Sequence, residues 1–191
     1  MRFLPFMPLL ALPATVYADA QAVLNDINAI RTQLTALSSS VDGVVSGIPG
    51  IPHALQVQVD ATVLDRHIQT GAQDASASPP FGSSSLQVGL ALIGLLSPIT
   101  DALDQITEKN STFGELGVIV LSSLVQLRRD TSAFSDEIVP KLGALEAAIA
   151  PAVVQAIEEA FDGAIAAYES NGESCVPFEV SVFNTKWSTA I

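Results

Sequence analysis

The chain has 191 residues, of which 49% are hydrophobic, 6% aromatic and 15% charged, with a formal net charge of −12. This composition excludes intrinsic disorder and suits one domain with a sizeable core, and its charged fraction falls well below the ~25% of ordinary soluble domains. The 8 basic residues are scattered, so nucleic acid is not an expected partner, because phosphate binding needs clustered Lys and Arg.

Met1 to Ala18 reads as a secretory leader. Arg2 supplies the positive start, Phe3 to Leu12 a short apolar stretch and Val16-Tyr17-Ala18 a small-residue cleavage site. Pro5, Pro8 and Pro13 oppose a packed helix there. Cleavage leaves Asp19 near the new N-terminus, where an acidic residue suits the start of a helix. It also removes Arg2, leaving 7 basic against 20 acidic residues and a net charge of −13, which opposes binding to anionic headgroups.

A first helix is predicted over about Asp19 to Val45, because Val23, Ile27, Ile30, Leu34, Leu37, Val41 and Val44 alternate steps of four and three. Ser46-Gly-Ile-Pro-Gly-Ile-Pro52 breaks it. A second helix is predicted over about His53 to Ala75. Leu55, Val57 and Val59 alternate like a strand, but Ala61, Leu64 and Ile68 return to helical spacing. The Ser/Pro-rich linker Ser76 to Ser85 could carry O-linked sugar or serve as a flexible connection, and its serines offer a cap for the next helix.

The third predicted helix, about Ser85 to Lys109, has two apolar stripes: Leu92, Leu96, Ile99, Leu103 and Ile106 form one, and Leu86, Leu90 and Ile93 begin another. The fourth starts near Thr112. Phe113, Leu116, Val120, Leu124, Leu127, Thr131 and Phe134 make one face, widened by Val118, Leu121 and Val125. Pro140 interrupts its continuation, and Pro151 sits early in a fifth helix, about Ala150 to Ser170, with Val153, Ile157, Phe161, Ile165 and Tyr168 facing inward. The remaining tail to Ile191 is expected to be irregular. Helices apolar on two sides belong at the centre of a bundle, so the third and fourth are expected there. The fold class is all-α, an antiparallel bundle of about five helices. No transmembrane segment is expected, since Leu86 to Ile99 contains Gln87, Ser97 and Pro98 and is shorter than the roughly 20 residues of a span. A glycolipid anchor is likewise not expected, as no hydrophobic tail closes the chain.

Reaction chemistry has no foothold in this pattern. His53 and His67 do not share a helix face and lack further ligands, so neither a metal nor a cofactor is expected. No nucleophile elbow, phosphate loop, zinc helix motif or calcium loop occurs. Glu158, Glu159 and Asp162 fit the early turns of a helix better than a catalytic pair. Cys175 is the single cysteine, so it is either a free thiol or a link to another chain. Asn110-Ser111-Thr112 is an N-glycosylation acceptor in a predicted turn.

Four segments, in order, carry a family resemblance. They are Leu64-Asp65 through Gly71, Ile99 through Phe113 with its Leu103-x-x-Ile106-x-x-Lys109 core, Leu127-x-x-x-Thr131-x-x-Phe134, and Ala160-Phe161 leading to Ala164-Ile165-Ala166-Ala167-Tyr168. Together they resemble the fungal hydrophobic surface-binding protein A and cell-wall galactomannoprotein family over about Asp19 to Ser170. The resemblance implies a secreted five-helix bundle without enzymatic activity. It also implies adsorption to hydrophobic surfaces, recruitment of secreted esterases and binding of fatty acids between helices. Ser/Thr-rich stalks and lipid anchors known in the family are lacking here, which favours a released protein over a wall-anchored one. The segment from Glu173, with Cys175 and Trp187, matches nothing in the family.

The expected ligand walls are the surplus apolar faces of the last three helices: Leu92, Leu96, Leu103, Val120, Leu124, Phe134, Ile157 and Phe161. Ser122, Ser123 and Thr131 are the expected headgroup donors, with Arg128 at an edge. The alternative from another class is a structural cell-wall mannoprotein or adaptor without a lipid ligand.

Overall fold

The computed structural model describes residues 19–172. The leader, the tail and Cys175 lie outside the described residues. Among the described residues there are helices and turns and no strand: α1 (Ala20–Asp42), α2 (Ile51–Ala77), α3 (Ser85–Ile93), α4 (Leu96–Glu108), the single turn α5 (Asn110–Phe113), α6 (Gly117–Ile138) and α7 (Ala144–Gly172).

All seven residues of the first predicted stripe are buried, Val23 to Val41 in α1 and Val44 just past its end. Each such side chain contributes about 1.5–3 kcal/mol when removed from water, so tertiary packing rather than intrinsic propensity holds this helix. Its start is fixed by Asp19, whose Oδ1 accepts from the backbone N–H of Gln21 and of Ala22, both at 3.0 Å. Replacing Asp19 by Ala should cost about 1 kcal/mol of unfolding free energy, read by urea denaturation. The other end is held by Lys109, whose Nζ donates to the carbonyls of Asp42 (3.3 Å) and Val44 (3.2 Å). Lys141 does the same for the end of α2, donating to the carbonyls of Ser76 (2.6 Å) and Ser78 (2.7 Å) and to that of Ala75. A cation at a helix C-terminus satisfies orphan carbonyls and complements the dipole.

The α1–α2 turn requires glycine at position 50, because a Cβ there would lie 1.6 Å from the carbonyl oxygen of Val45. In α2 the helical period wins over the strand-like one. Val57, Ala61, Leu64 and Ile68 are buried, whereas Leu55 and Val59 are each 53% exposed.

The third predicted helix is broken into α3 and α4 at Gly94–Leu95. Pro98 has no N–H to give to the carbonyl of Gly94, and its ring crowds that carbonyl. The fifth predicted helix begins earlier than expected, at Ala144, and runs through Pro151. The stretch Gly82–Glu108 is long and apolar enough to cross a membrane by length and composition, with a mean hydropathy of 1.6 in its best window. In this fold it is interrupted midway and packs on α1 and α7.

Consecutive long helices alternate in direction. Gly43 of the α1 end abuts His53 near the α2 start, and Arg128 of α6 meets Asp162 of α7. The packing order closes on itself: α1 against α2, α2 against α6, α6 against α7, α7 against α4, and α4 back against α1. No helix is central. The expectation that the third and fourth predicted helices are buried on two sides is therefore corrected. Their second stripes face outward, with Leu86 56%, Leu90 59%, Val118 71% and Val125 50% exposed. A ring of five leaves axial space that side chains must fill or leave empty.

Candidate apolar binding site

That axial space holds two adjoining cavities. The central one, of about 40 Å³, is lined by every member of the ring. Ile30, Leu34 and Leu37 come from α1, Leu64 and Ile68 from α2, and Ile99, Ala102, Leu103 and Ile106 from α4. Leu124, Leu127, Thr131 and Phe134 of α6, Phe161 of α7 and the turn residue Leu95 complete it. The second, about 50 Å³, lies towards one end, between α3, the last turns of α6 and the first half of α7; Leu92, Ile93, Leu142, Val153 and Ile157 are among its walls. Leu95, Ile99, Thr131 and Phe134 line both, so they form the partition.

Phe134 owes its place to Gly71. A Cβ on Gly71 would come 2.8 Å from Cε2 of the Phe134 ring, so only glycine lets the ring lie against α2. Polar atoms are few. Thr131 is the one polar side chain of the central cavity, and Thr131, Ser135 and Glu146 are those of the end cavity. Ser135 Oγ donates to the Thr131 carbonyl at 3.0 Å, and Glu146 accepts from Ser85 Oγ at 3.1 Å. No cation lines either cavity. At about 10–15 Å³ per water the cavities have room for a few molecules each, but walls this apolar stay dry.

The expected wall residues Leu92, Leu103, Leu124, Phe134, Ile157 and Phe161, and the expected donor Thr131, all line one cavity or both. The structure places the others elsewhere. Leu96 is half-buried and packs against the core without lining either cavity, where Leu95 lies instead. Val120 is buried in the core without reaching a cavity. Ser122 and Ser123 lie off the buried stripe of α6, in a polar groove against α2, where Ser123 Oγ donates to Gln58 Oε1 at 2.8 Å. They face away from the apolar space. Arg128 pairs with Asp162 at 2.7 Å on the outer surface. Asn110 is part-buried, and its Nδ2 donates to the Ala167 carbonyl at 2.6 Å, so a glycan on that nitrogen would have to replace this bond.

Reasoning from sequence missed Leu95, Ile99 and the α1 and α2 contributions. Ile99 belongs to the inward stripe of the third predicted helix, and Ile30, Leu34 and Leu37 to the stripe of the first. Two carboxyl pairs flank the ring on either side of α2. Burial, reinforced by the neighbouring carboxylate of Asp74, raises Asp26 to about 6. Burial and then Asp130 raise Asp65 to about 6. Asp130 itself is held below the usual carboxylate range. Burial pushes it up, but hydrogen bonds from Gln69, Asp65, Gln126 and Arg129 outweigh that.

Solved structures share this architecture. AfMP4p in complex with palmitic acid is 28% identical, with a TM-score of 0.75 over 78% of this chain and 99% of that one. The ligand-binding domain 1 of the Penicillium marneffei MP1 protein, complexed with arachidonic acids, is 19% identical, with a TM-score of 0.69 over 78% of this chain and 95% of that one. The ligand-binding domain 2 of the same protein, also with arachidonic acids, is 19% identical, with a TM-score of 0.70 over 84% and 98%. Curated proteins include no match. The model of the hydrophobic surface binding protein A family matches residues 20–140, more than half of the sequence, and with the five-helix ring around an apolar interior the chain belongs to that family.

Proposed function

We propose that this protein is a secreted, non-catalytic binder of apolar ligands that takes fatty-acid-like chains into the space between its helices and adsorbs to hydrophobic surfaces. The observation that carries the reading is the pair of adjoining, nearly non-polar cavities, the central one lined by all five ring helices. The palmitic acid bound by the 28% identical AfMP4p supports the ligand class. The leader-like first 18 residues support secretion. Recruitment of secreted esterases rests on the family resemblance alone.

The energetics suffice. Burying a chain of about sixteen carbons contributes on the order of 12 kcal/mol at roughly 0.8 kcal/mol per methylene. Association costs at least about 4 kcal/mol, which leaves micromolar affinity within reach. The cavities are several-fold smaller than the ~300–1,000 Å³ of ordinary ligand sites, so loading must spread the ring. Protein purified without detergent should yield fatty acid on solvent extraction, or take up a fluorescent fatty acid that palmitate displaces. Lipid-free extracts together with no uptake would sink the reading.

A further inference from the structure

We propose that the exposed apolar collar around the mouth of the end cavity is the face by which this protein docks on an uncharged lipid surface, such as a droplet of neutral glycerol esters. Leu86, Leu90 and Ile93 follow each other at i, i+4 and i+7 on one face of α3 and are 56%, 59% and 41% exposed. Leu145 and Ile149, one turn apart on α7, are 69% and 46% exposed. The two helices meet where Gly89 lies under Glu146, so close that a Cβ at Gly89 would sit 2.8 Å from Glu146 Cγ. The two stripes therefore join into one patch, of the kind that marks an interaction surface.

Charge decides what covers it. No charged residue occurs between Ala75 and Thr100, and the ionisable group at the seam is Glu146, already bonded to Ser85. A surface of anionic headgroups is met best by Lys and Arg, and none of the five collar residues is basic. Arg31 of α1, which reaches α3, is turned to the Ala91 carbonyl at 3.4 Å, and the net charge of −12 repels such a surface. An uncharged apolar phase has no such mismatch. It also matches the long apolar stretch Gly82–Glu108, of whose best window only 33% of the residues are buried in the fold.

The collar is continuous with the interior. Ile93 belongs to the exposed patch and also lines the end cavity, as does Gly89 beside it. A chain leaving a lipid phase at this face would enter between α3 and α7 without crossing water; this last step rests on the ligand reading above, and the docking face does not. A second exposed stripe, Ile51, Leu55 and Val59 on α2, is 44–53% exposed, yet none of the three lines either cavity. It lies towards the opposite end of the ring and serves as the internal control.

The test compares full-length protein with Leu86→Glu/Leu90→Glu/Leu145→Glu and with the equally charged control Ile51→Glu/Leu55→Glu/Val59→Glu. Flotation with triolein emulsions coated with phosphatidylcholine should show at least tenfold loss of binding for the collar variant and less than threefold for the control. Vesicles rich in phosphatidylserine should bind the unaltered protein at least tenfold more weakly than the emulsion does. Uptake of a fluorescent fatty acid from buffer should stay within twofold in the collar variant, and a cooperative thermal unfolding transition like the parent's shows that it is folded. Absent uptake in every form would defeat the ligand reading while the flotation result still judged the docking face. Equal flotation of collar variant and parent overturns the proposal. So does equal loss in the control, or a collar-dependent dimer in sedimentation with emulsion binding unchanged.

Discussion

Phe134→Ala should destabilise the ligand-free protein by about 3–5 kcal/mol and at the same time enlarge its stabilisation by palmitate. The first effect follows from removing a buried aromatic side chain and leaving a hole behind; the ring is 4% exposed. The second follows from position. Phe134 is one of four residues that line both cavities, so truncating it joins them into a single space running from the end of the ring to its centre. A ligand that binds only the folded state adds RT ln(1 + [L]/Kd) to stability, and a site that no longer has to spread the ring to accept a chain has a lower Kd. Thermal unfolding with and without saturating palmitate measures both at once. An unchanged or smaller ligand-induced shift in the variant would mean that Phe134 is packing and not a partition. Gly71→Ala approaches the same ring from behind. The added Cβ would sit 2.8 Å from Phe134 Cε2, and relieving that contact moves the ring towards the cavities.

The partition shows where reading the sequence reaches its limit. Periodicity found most of the buried faces: the stripe from Val23 to Val44 is buried throughout, and so are Leu124, Leu127 and Phe134 on α6, while Leu96, Val153 and Ile165 are only partly buried. What periodicity reports is that a face is turned away from water. It does not report whether that face meets another helix or a void. The surplus of apolar residues in the later helices suggested that the ligand walls lie there. Much of that surplus turned out to be the exposed collar, while Ile30, Leu34, Leu37, Leu64 and Ile68 of the first two helices line the central cavity. Closing five helices into a ring is a long-range property, and it gives each inward stripe two duties.

Phase errors have a similar cause. The stripe Leu92, Leu96, Ile99, Leu103 assumes one unbroken helix. Leu95 lies three residues after Leu92 and four before Ile99, so it shares their inward face and lines both cavities. Leu96, on the margin of that face, is left half-buried. Ser122 and Ser123 were plausible headgroup donors by chemistry alone. At about 100° per residue they lie away from the Leu124–Leu127–Thr131 face, and of the three expected donors it is Thr131 that borders the cavities.

Stability should rise as the solution is acidified from pH 7.5 to 5, against the usual preference for near-neutral conditions. Asp26 and Asp65 both have folded values near 6, above the ~3.9 of an unfolded aspartate. Between those values the folded chain binds more protons than the unfolded one. The stability these groups contribute is complete below about 3.9 and is lost as pH rises through about 6. The geometry agrees, because Asp26 Oδ2 and Asp65 Oδ1 are buried without a hydrogen-bond donor, as suits a carboxyl that keeps its proton beside a second carboxylate. Asp130, held low, works in the opposite sense and loses its contribution only as pH falls through its own, lower value. The window from 5 to 7.5 therefore belongs to Asp26 and Asp65. Both are half-buried, and solvent screening keeps the contribution of each to the order of 1 kcal/mol. At about 2–4 °C per kcal/mol for a chain of this length, the midpoint should be several degrees higher at pH 5 than at pH 7.5. Asp26→Asn with Asp65→Asn, which mimics the protonated state at both sites, should flatten that dependence and raise the midpoint at pH 7.5. A wild-type midpoint that falls on acidification across this window would show that neither seam of α2 holds a proton.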